Sequence, residues 1–267
     1  PYGKTILEET LSKNDTESSN TDVFANFQFN LKEFHADAGA RFTDYSKFGN
    51  HFVYSINPYY LKEKNEYFLK IGYSFSTAFI APTLYQNFGT LPYTLPNFDL
   101  KPETNQSHEI DLSLGSKDRS KLLQISVFQR MEEDVFVYKT NPDYTGNFVN
   151  VDENKVKGFE ISADYAINKY VKLGGNFSFV EKDEEATTLR VPKQRMNSYV
   201  EVSPFTSTRL VLSHQFVSKR TDAYFDYSDY SVKKVDLESF NLFNLNINQK
   251  IIKNLDAFAN IGNLLNT

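Results

Sequence analysis

Apolar and polar residues alternate along most of this chain. Between residues 158 and 165 every second position is apolar, and the positions between carry glycine, glutamate, serine and aspartate; the apolar ones are Phe159, Ile161, Ala163 and Tyr165. A period of two puts these side chains on one face of a β-strand, whereas an amphipathic helix needs a period of about 3.6. The same alternation recurs at 23–30, 34–42, 243–248 and 255–262. The pattern therefore predicts an all-β chain, and we find no convincing helix in it.

The alternation predicts thirteen strands, at about residues 4–10, 22–30, 34–46, 51–62, 67–77, 106–117, 121–140, 147–168, 171–182, 194–203, 209–225, 238–251 and 255–264. The connections on one side are short, and those on the other side are mostly long: 11–21, 78–105, 141–146, 183–193 and 226–237, with 47–50 as a short exception. This asymmetry is typical of a transmembrane antiparallel up-and-down β-barrel. A soluble β-sandwich is the alternative, but its strands average about 5–6 residues.

The odd number of predicted strands bears on closure of the barrel. With thirteen strands the first and the last run in the same direction, whereas bacterial single-chain barrels have an even number. An open sheet edge leaves unpaired backbone groups, which lipid does not tolerate. We therefore expect the remaining strands to come from sequence that is not in this chain.

Composition and charge restrict the function further. The chain has no cysteine, and its net charge of −5 argues against a general nucleic-acid binder. The four histidines are scattered, and no His-Glu-x-x-His, Gly-x-Ser-x-Gly or glycine-rich phosphate loop occurs. The sequence therefore predicts no enzyme, metal centre or cofactor. The acidic runs 181–185 and 226–230 are interpreted as solvated loop tips, with calcium binding as the alternative.

The segment 78–105 is a long loop that is too rich in large rings for a free linker. We interpret it as a structured binding or gating loop at the barrel mouth, where rings and amides suit a large, partly apolar ligand. The candidate ligand contacts, in this and other long loops, are Tyr85, Asn87, Phe88, Tyr93, Phe98, Tyr144, Tyr227 and Tyr230. The alternation also predicts charged residues that line the interior: Asp37, Arg41, Glu109, Asp111, Glu160 and Asp164.

Several segments resemble motifs of the TonB-dependent outer-membrane transporters and occur in that family's order. They are ARFTDYSKFGNHF at 40–52, FSTAFIAPTLYQNFG at 75–89, NFDLKPE at 97–103, SHEIDLSLG at 107–115, NVDENKVKGFEISADY at 150–165 and NIGNLLNT at 260–267. From Tyr73 onwards, the elements APTLYQNFG, NFDLKPE and 215–235 are most similar to the cobalamin (vitamin B12) transporters. Ferric-siderophore, haem and other metal-chelate receptors of the same family are the alternatives, and a passive diffusion porin is a further one.

The resemblance implies that residues 1–267 form a C-terminal part of a barrel of about 22 strands, without the plug domain and the final strand. It implies an outer-membrane location in a Gram-negative bacterium, surrounded by outer-membrane lipid. The implied partners are the protein's own N-terminal plug domain, the energising protein TonB, and cobalamin or a metal chelate; a surface lipoprotein is a further candidate. The charged residues of the interior would then contact the plug.

Overall fold

The computed structural model describes residues 18–141, 143–183 and 188–266. Within these ranges the elements are β1 (Asn20–Leu31), β2 (Phe34–Tyr45), β3 (Gly49–Lys64), β4 (Tyr67–Ile80), α1 (Leu84–Phe88), β5 (Glu103–Ser116), β6 (Lys121–Thr140), β7 (Gly146–Asn168), β8 (Val171–Lys182), β9 (Gln194–Phe205), β10 (Thr208–Val217), β11 (Arg220–Asp226), β12 (Ser231–Leu237), β13 (Phe240–Ile252) and β14 (Leu255–Ile261).

Twelve of these strands form one antiparallel sheet in which neighbours along the chain are neighbours in space. The order is β1 to β10, then β13 and β14, while β11 and β12 pair only with each other. This arrangement confirms the predicted all-β, antiparallel up-and-down architecture of a partial barrel. The first predicted strand, at 4–10, lies outside the described residues.

The sheet has one apolar and one polar face, as the registers of β4 to β10 show. One row of paired positions is apolar throughout: Ile71, Leu112, Ile125, Ile161, Phe177, Met196 and Phe216. The adjacent row, one residue along each strand, points to the opposite face and is mostly polar: Gly72, Asp111, Ser126, Glu160, Ser178, Arg195 and Val217. We call these the outer and the inner face, because a membrane barrel turns its apolar positions to lipid and its polar positions inwards.

The burial of apolar side chains separates this architecture from a soluble sandwich. Among the described residues, only Leu100, Val135, Val156 and Val217 are buried apolar side chains. Large apolar side chains of the outer face are exposed instead; Phe27 is 70% and Ile110 is 59% exposed. A water-soluble sheet would cover such a surface, so lipid is the solvent that this face requires. No helix in the described part of the chain is long and apolar enough to cross a membrane.

Three predictions about elements are wrong. The predicted strand 209–225 is interrupted, because the pairing of β10 with both of its neighbours ends at Val217. Beyond that point the chain forms the β11–β12 hairpin, so the predicted loop 226–237 contains a strand.

The prediction of no helix missed α1, whose five residues are too short to show a helical period. Its sequence signal is the capping box of Thr83 and Gln86, which bond each other's backbone N–H groups.

Candidate ligand-binding rim

The long loop between β4 and β5, residues 81–102, is folded onto the tops of β6 and β7. After α1 the chain turns at Gly89, whose φ of 62° suits glycine. Thr90 and Thr94 then exchange backbone hydrogen bonds of 2.9 Å. The loop is attached to β7 at Gly146, whose N–H donates to the Tyr93 carbonyl at 2.8 Å and whose carbonyl accepts from the Leu95 N–H at 2.7 Å.

The segment 97–103 clamps this loop to the strands. The Asn97 side chain donates to the Phe148 carbonyl at 2.8 Å. The amide group of Asn150 accepts from the Lys101 N–H at 2.9 Å and donates to the Lys101 carbonyl at 3.0 Å. The Glu103 carboxylate accepts from the Phe136 N–H at 2.5 Å. Because side chains here bind backbone groups, Asn150 those of the loop and Asn97 and Glu103 those of the strands, this segment fixes the loop to the strands.

The structure separates the five candidate contacts of the long loop. Asn87 is buried, and its side chain donates to the Thr83 carbonyl at 3.4 Å, a bond that stabilises α1. Phe88 packs edge-on against Phe98 with ring centroids 5.2 Å apart. Tyr85 places its hydroxyl 3.3 Å from the Thr94 hydroxyl. Tyr93 and Phe98 are 73% and 66% exposed and remain available to a ligand.

Three other candidate tyrosines meet at one place, which sequence spacing did not predict. Tyr144, in the β6–β7 turn, lies 5.4 Å from Tyr230 and 6.3 Å from Phe225 between ring centroids. Phe225 also packs edge-on against Tyr227 at 5.0 Å. We call Tyr144, Phe225, Tyr227 and Tyr230 the tyrosine cluster. Sequence reasoning did not include Phe225 in this cluster. The signal that could have found it is the Asp-Tyr-Ser-Asp-Tyr turn at 226–230, which directly follows Phe225 and pairs β11 with β12.

The hairpin that carries this cluster is held by ion pairs at partly exposed positions. At its tip, Lys233 Nζ lies 2.5 Å from Asp226 and 2.8 Å from Asp229. The Lys233 ammonium, and next the Ser228 hydroxyl, lower the pKa of Asp226 to about 2. The calcium alternative for 226–230 gains no support, because a lysine already lies between the two carboxylates. No group of three or more metal-ligating side chains occurs among the described residues.

The base of the hairpin is attached to the β8–β9 loop by Arg190. Its Nε donates to Asp222 at 2.5 Å, and its backbone N–H donates to the Thr221 carbonyl at 2.8 Å. The hydrogen bond from Arg190 holds the pKa of Asp222 below its usual value. The rim is therefore formed jointly by the long loop, the β6–β7 turn, the β8–β9 loop and the hairpin.

The six predicted interior residues all occupy positions of the inner face. Ion pairs join Arg41 to Asp22 at 3.9 Å, Asp111 to Lys70 at 3.5 Å and Asp164 to Lys172 at 3.3 Å. Asp37, Glu109 and Glu160 form no ion pair with a residue in the described ranges. Glu109, Asp111 and Glu160 border a concavity of about 470 Å³ on this face.

Two glycines make room for inner-face carboxylates. A side chain at Gly72 would overlap the Asp111 carboxylate, and one at Gly174 would overlap both Asp164 and Tyr199. The Tyr199 hydroxyl donates a hydrogen bond to Asp164. These carboxylates therefore lie flat over the neighbouring strands, a placement that the alternation alone could not predict.

A sheet with a lipid-facing outer side, a charged inner side and a folded rim defines a membrane barrel of the receptor type. The family model described as "TonB dependent receptor-like, beta-barrel" matches residues 1–264. The chain belongs to this family, which consists of receptors and not of enzymes.

Solved structures share the fold at low sequence identity. The siderophore receptor PirA from Acinetobacter baumannii is 18% identical with a TM-score of 0.76, over 96% of this chain and 43% of that one. A point mutant of the ferric enterobactin receptor from Pseudomonas aeruginosa is 17% identical with a TM-score of 0.75, over 98% and 42%. The ferripyoverdine receptor from the same species is 16% identical with a TM-score of 0.74, over 94% and 35%. The chain thus spans less than half the length of these proteins.

Proposed function

We propose that this chain is part of the wall and rim of a TonB-dependent outer-membrane transporter that imports a ferric siderophore. The observation that carries the proposal is the aromatic surface of the rim, where Tyr93, Tyr144, Tyr227 and Tyr230 are each more than half exposed. Rings with a hydroxyl offer flat apolar contact and a hydrogen bond to a large ligand. No bond of the ligand is made or broken in such transport.

The choice of a siderophore over cobalamin rests on two considerations. The solved structures described above bear the names of siderophore, ferric enterobactin and ferripyoverdine receptors. Two of the elements that resembled cobalamin transporters, at 81–89 and 97–103, contain α1 and the clamp. Because the Asn97 and Glu103 side chains bind backbone groups of the strands, and the Lys101 backbone is bound by the Asn150 side chain, these elements carry little information about a ligand.

The inner face supports the proposed plug as a partner. Asp37, Glu109 and Glu160 are carboxylates without an ion-pair partner in the described part of the chain, and the last two border the inner concavity. A plug that carries arginine or lysine would neutralise them. TonB and a surface lipoprotein stay predictions that come from the resemblance.

Uptake by cells that express the full-length gene tests the proposed function. We expect accumulation of radioactive iron from a ferric siderophore that requires TonB, and no accumulation of labelled cyanocobalamin. The double variant Tyr144→Ala, Tyr230→Ala should lower siderophore binding, whereas Tyr165→Ala, on the outer face far from the rim, should not. Uptake of cyanocobalamin without uptake of the ferric siderophore would show that the ligand is cobalamin and not a siderophore. Uptake of either compound without TonB would contradict active transport and favour the porin alternative.

A further inference from the structure

Lysines at the two ends of the wall differ in their partners. On the outer face near the long loops, ion pairs join Lys155 to Glu153 at 2.7 Å and Lys157 to Glu181 at 3.2 Å. At the opposite end, near the short turns, Lys121 and Lys169 form no ion pair with a carboxylate of the described residues. These two ammonium groups are therefore available to an anion from outside the chain.

Each of the two lysines lies over a tyrosine ring. Lys121 Nζ is 5.4 Å from the ring centroid of Tyr165, its register partner on the outer face. Lys169 Nζ is 4.8 Å from the ring centroid of Tyr170, and these two residues form the β7–β8 turn. A ring carries no charge, so both ammonium groups keep hydrogen-bond donors for an anion. Tyrosine and lysine side chains of this kind are typical of the level of lipid headgroups.

A groove opens on the outer face directly above Tyr165. Its volume is about 360 Å³, and Tyr165 forms its lower end. It lies where three neighbouring strands carry small residues as register partners, namely Ala163 on β7, Gly175 on β8 and Ser198 on β9. Larger side chains border it above and below: Ile161, Phe177 and Met196 above, and Tyr165 and Leu173 below. The groove is therefore an apolar depression in the surface that faces lipid.

The groove lies in the half of the hydrocarbon layer next to the short turns. Ala163 precedes Lys169 by six residues. With a rise of about 3.3 Å per residue and a strand tilt of about 40°, Ala163 is roughly 15 Å above the turn. The apolar band of a membrane barrel is about 25 Å tall, and its short turns face the periplasm. The groove therefore faces the acyl chains of the periplasmic leaflet, and the lysines lie at the level of its headgroups.

We propose that the groove, Lys121 and Lys169 form a binding site for one anionic phospholipid of the periplasmic leaflet. The lipid phosphate binds the two ammonium groups, and one acyl chain lies in the groove across β7, β8 and β9. The chain fills a depression that would otherwise lack van der Waals contacts. The lysines without carboxylate partners supply the charge complementarity that selects an anionic headgroup. The site is separate from the rim and does not depend on which ligand is transported.

Lipid binding to the full-length receptor in detergent micelles tests the site. The delipidated protein is mixed with dioleoyl phosphatidylglycerol, with dioleoyl phosphatidylethanolamine or with glycerol phosphate, and bound molecules are counted by native mass spectrometry. The two lipids have the same acyl chains, and only the first has a net negative charge. We expect one molecule of phosphatidylglycerol to bind more tightly than phosphatidylethanolamine. Glycerol phosphate should not bind, because it has no acyl chain.

The lysine variants test recognition of the headgroup. Lys121→Gln and Lys169→Gln should each lower the affinity for phosphatidylglycerol about fivefold, because each removes one cation close to the phosphate. Their effect on phosphatidylethanolamine should be smaller. Lys62→Gln is the matched control, since Lys62 lies on the outer face at the same end of β3, as the partner of Leu69 and away from the groove.

A variant that fills the groove tests the acyl chain. Ala163→Leu should lower the affinity for both phospholipids severalfold and to the same degree, because the chain loses its contacts in the groove. Ala38→Leu is the control, since it adds the same side chain to the outer face of β2 beside Ile56. If Ala163→Leu gives no heat-modifiable band in electrophoresis, the lysine variants and the comparison of the two lipids decide the test.

Four outcomes would overturn the proposal. The first is equal affinity of the wild type for the two phospholipids. The second is wild-type affinity for phosphatidylglycerol in the double variant of Lys121 and Lys169. The third is displacement of phosphatidylglycerol by lipid A in a manner that requires these lysines, which would assign the site to the other leaflet. The fourth is a receptor dimer that Ala163→Leu abolishes, which would make a second copy the occupant of the groove.

Discussion

The wall and the rim of this chain are stabilised in different ways. In the wall, most positions repeat the same arrangement: a backbone ladder, an apolar neighbour on the outer face and a polar neighbour on the inner face. In the rim, whole segments depend on single side chains, such as Asn150 for the long loop and Arg190 for the hairpin. The effect of a substitution in the wall therefore depends on the face to which the residue points. In the rim, the effect depends on which individual side chain is removed.

The rim itself contains two kinds of attachment. The long loop is fixed mainly by hydrogen bonds between side chains and backbone, as at Asn97 and Asn150. The hairpin is fixed by exposed ion pairs and by rings, as at Lys233 and Tyr144. Since exposed ion pairs contribute little and are screened by salt, we expect the hairpin to be the more adjustable of the two.

The largest effect should come from a charge on the outer face of the wall. Ile161→Arg places a cation in the apolar row between Ile125 and Phe177, where lipid replaces water. An arginine at the bilayer midplane destabilises a membrane barrel by about 2–4 kcal/mol. We expect poor assembly of the full-length protein, measured as loss of the heat-modifiable band in electrophoresis.

The matched control is the next residue. Ser162 points to the inner face beside Asn176 and borders the concavity, so Ser162→Arg should assemble normally. Equal assembly of the two variants would contradict the assignment of the faces.

The faces and most strand limits of the wall follow from the sequence, because a period of two fixes both. β6 and β8 begin and end at the predicted residues, 121–140 and 171–182. The rim could not be predicted in this way. Its contacts join residues far apart in the chain, such as Asn150 with Lys101 and Arg190 with Asp222. No local pattern in the sequence predicts these contacts.

Chemical type alone also could not predict burial within the rim. Asn87 has the polarity of a ligand contact, and it is the buried residue of α1. Asn150 is the first residue of the segment 150–165, which resembles a motif of the family. The sequence therefore indicated that Asn150 matters, but it did not indicate that its side chain binds the Lys101 backbone.

The next largest effect should be at the clamp of the long loop. Asn150→Ala removes both hydrogen bonds to Lys101, and leaves the backbone N–H and carbonyl of Lys101 without these partners. Each such hydrogen bond at an exposed position contributes about 0.5–1.5 kcal/mol. Hydrogen exchange at 95–103 should accelerate, while exchange in the hairpin stays unchanged. Asn147→Ala on the same strand is the control, and faster exchange in both variants would show that the clamp is not specific.

A smaller effect should follow from the ring contact between Tyr144 and Tyr230. Their centroids are 5.4 Å apart, and aromatic pairs contribute about 0.5–1.5 kcal/mol beyond area burial. A double-mutant cycle of Tyr144→Ala and Tyr230→Ala, followed by hydrogen exchange in the hairpin, should give a coupling energy of this size. Additive effects would show that the β6–β7 turn and the hairpin move independently.

The smallest effect should be a dependence of the hairpin on pH and salt. Lys233 lowers the pKa of Asp226 from 3.8 to about 2, so the charged form is favoured in the folded hairpin. A carboxylate whose pKa is lowered in the folded state stabilises that state fully at pH values above its unfolded-state pKa. This stabilisation is lost as the pH falls through its folded-state pKa. Limited proteolysis of 220–237 should therefore accelerate as pH falls from about 4 towards about 2, and also with added salt at neutral pH. In Lys233→Met the wild-type acid response of the hairpin should shrink. An unchanged acid response in Lys233→Met would mean that other groups hold the hairpin tip.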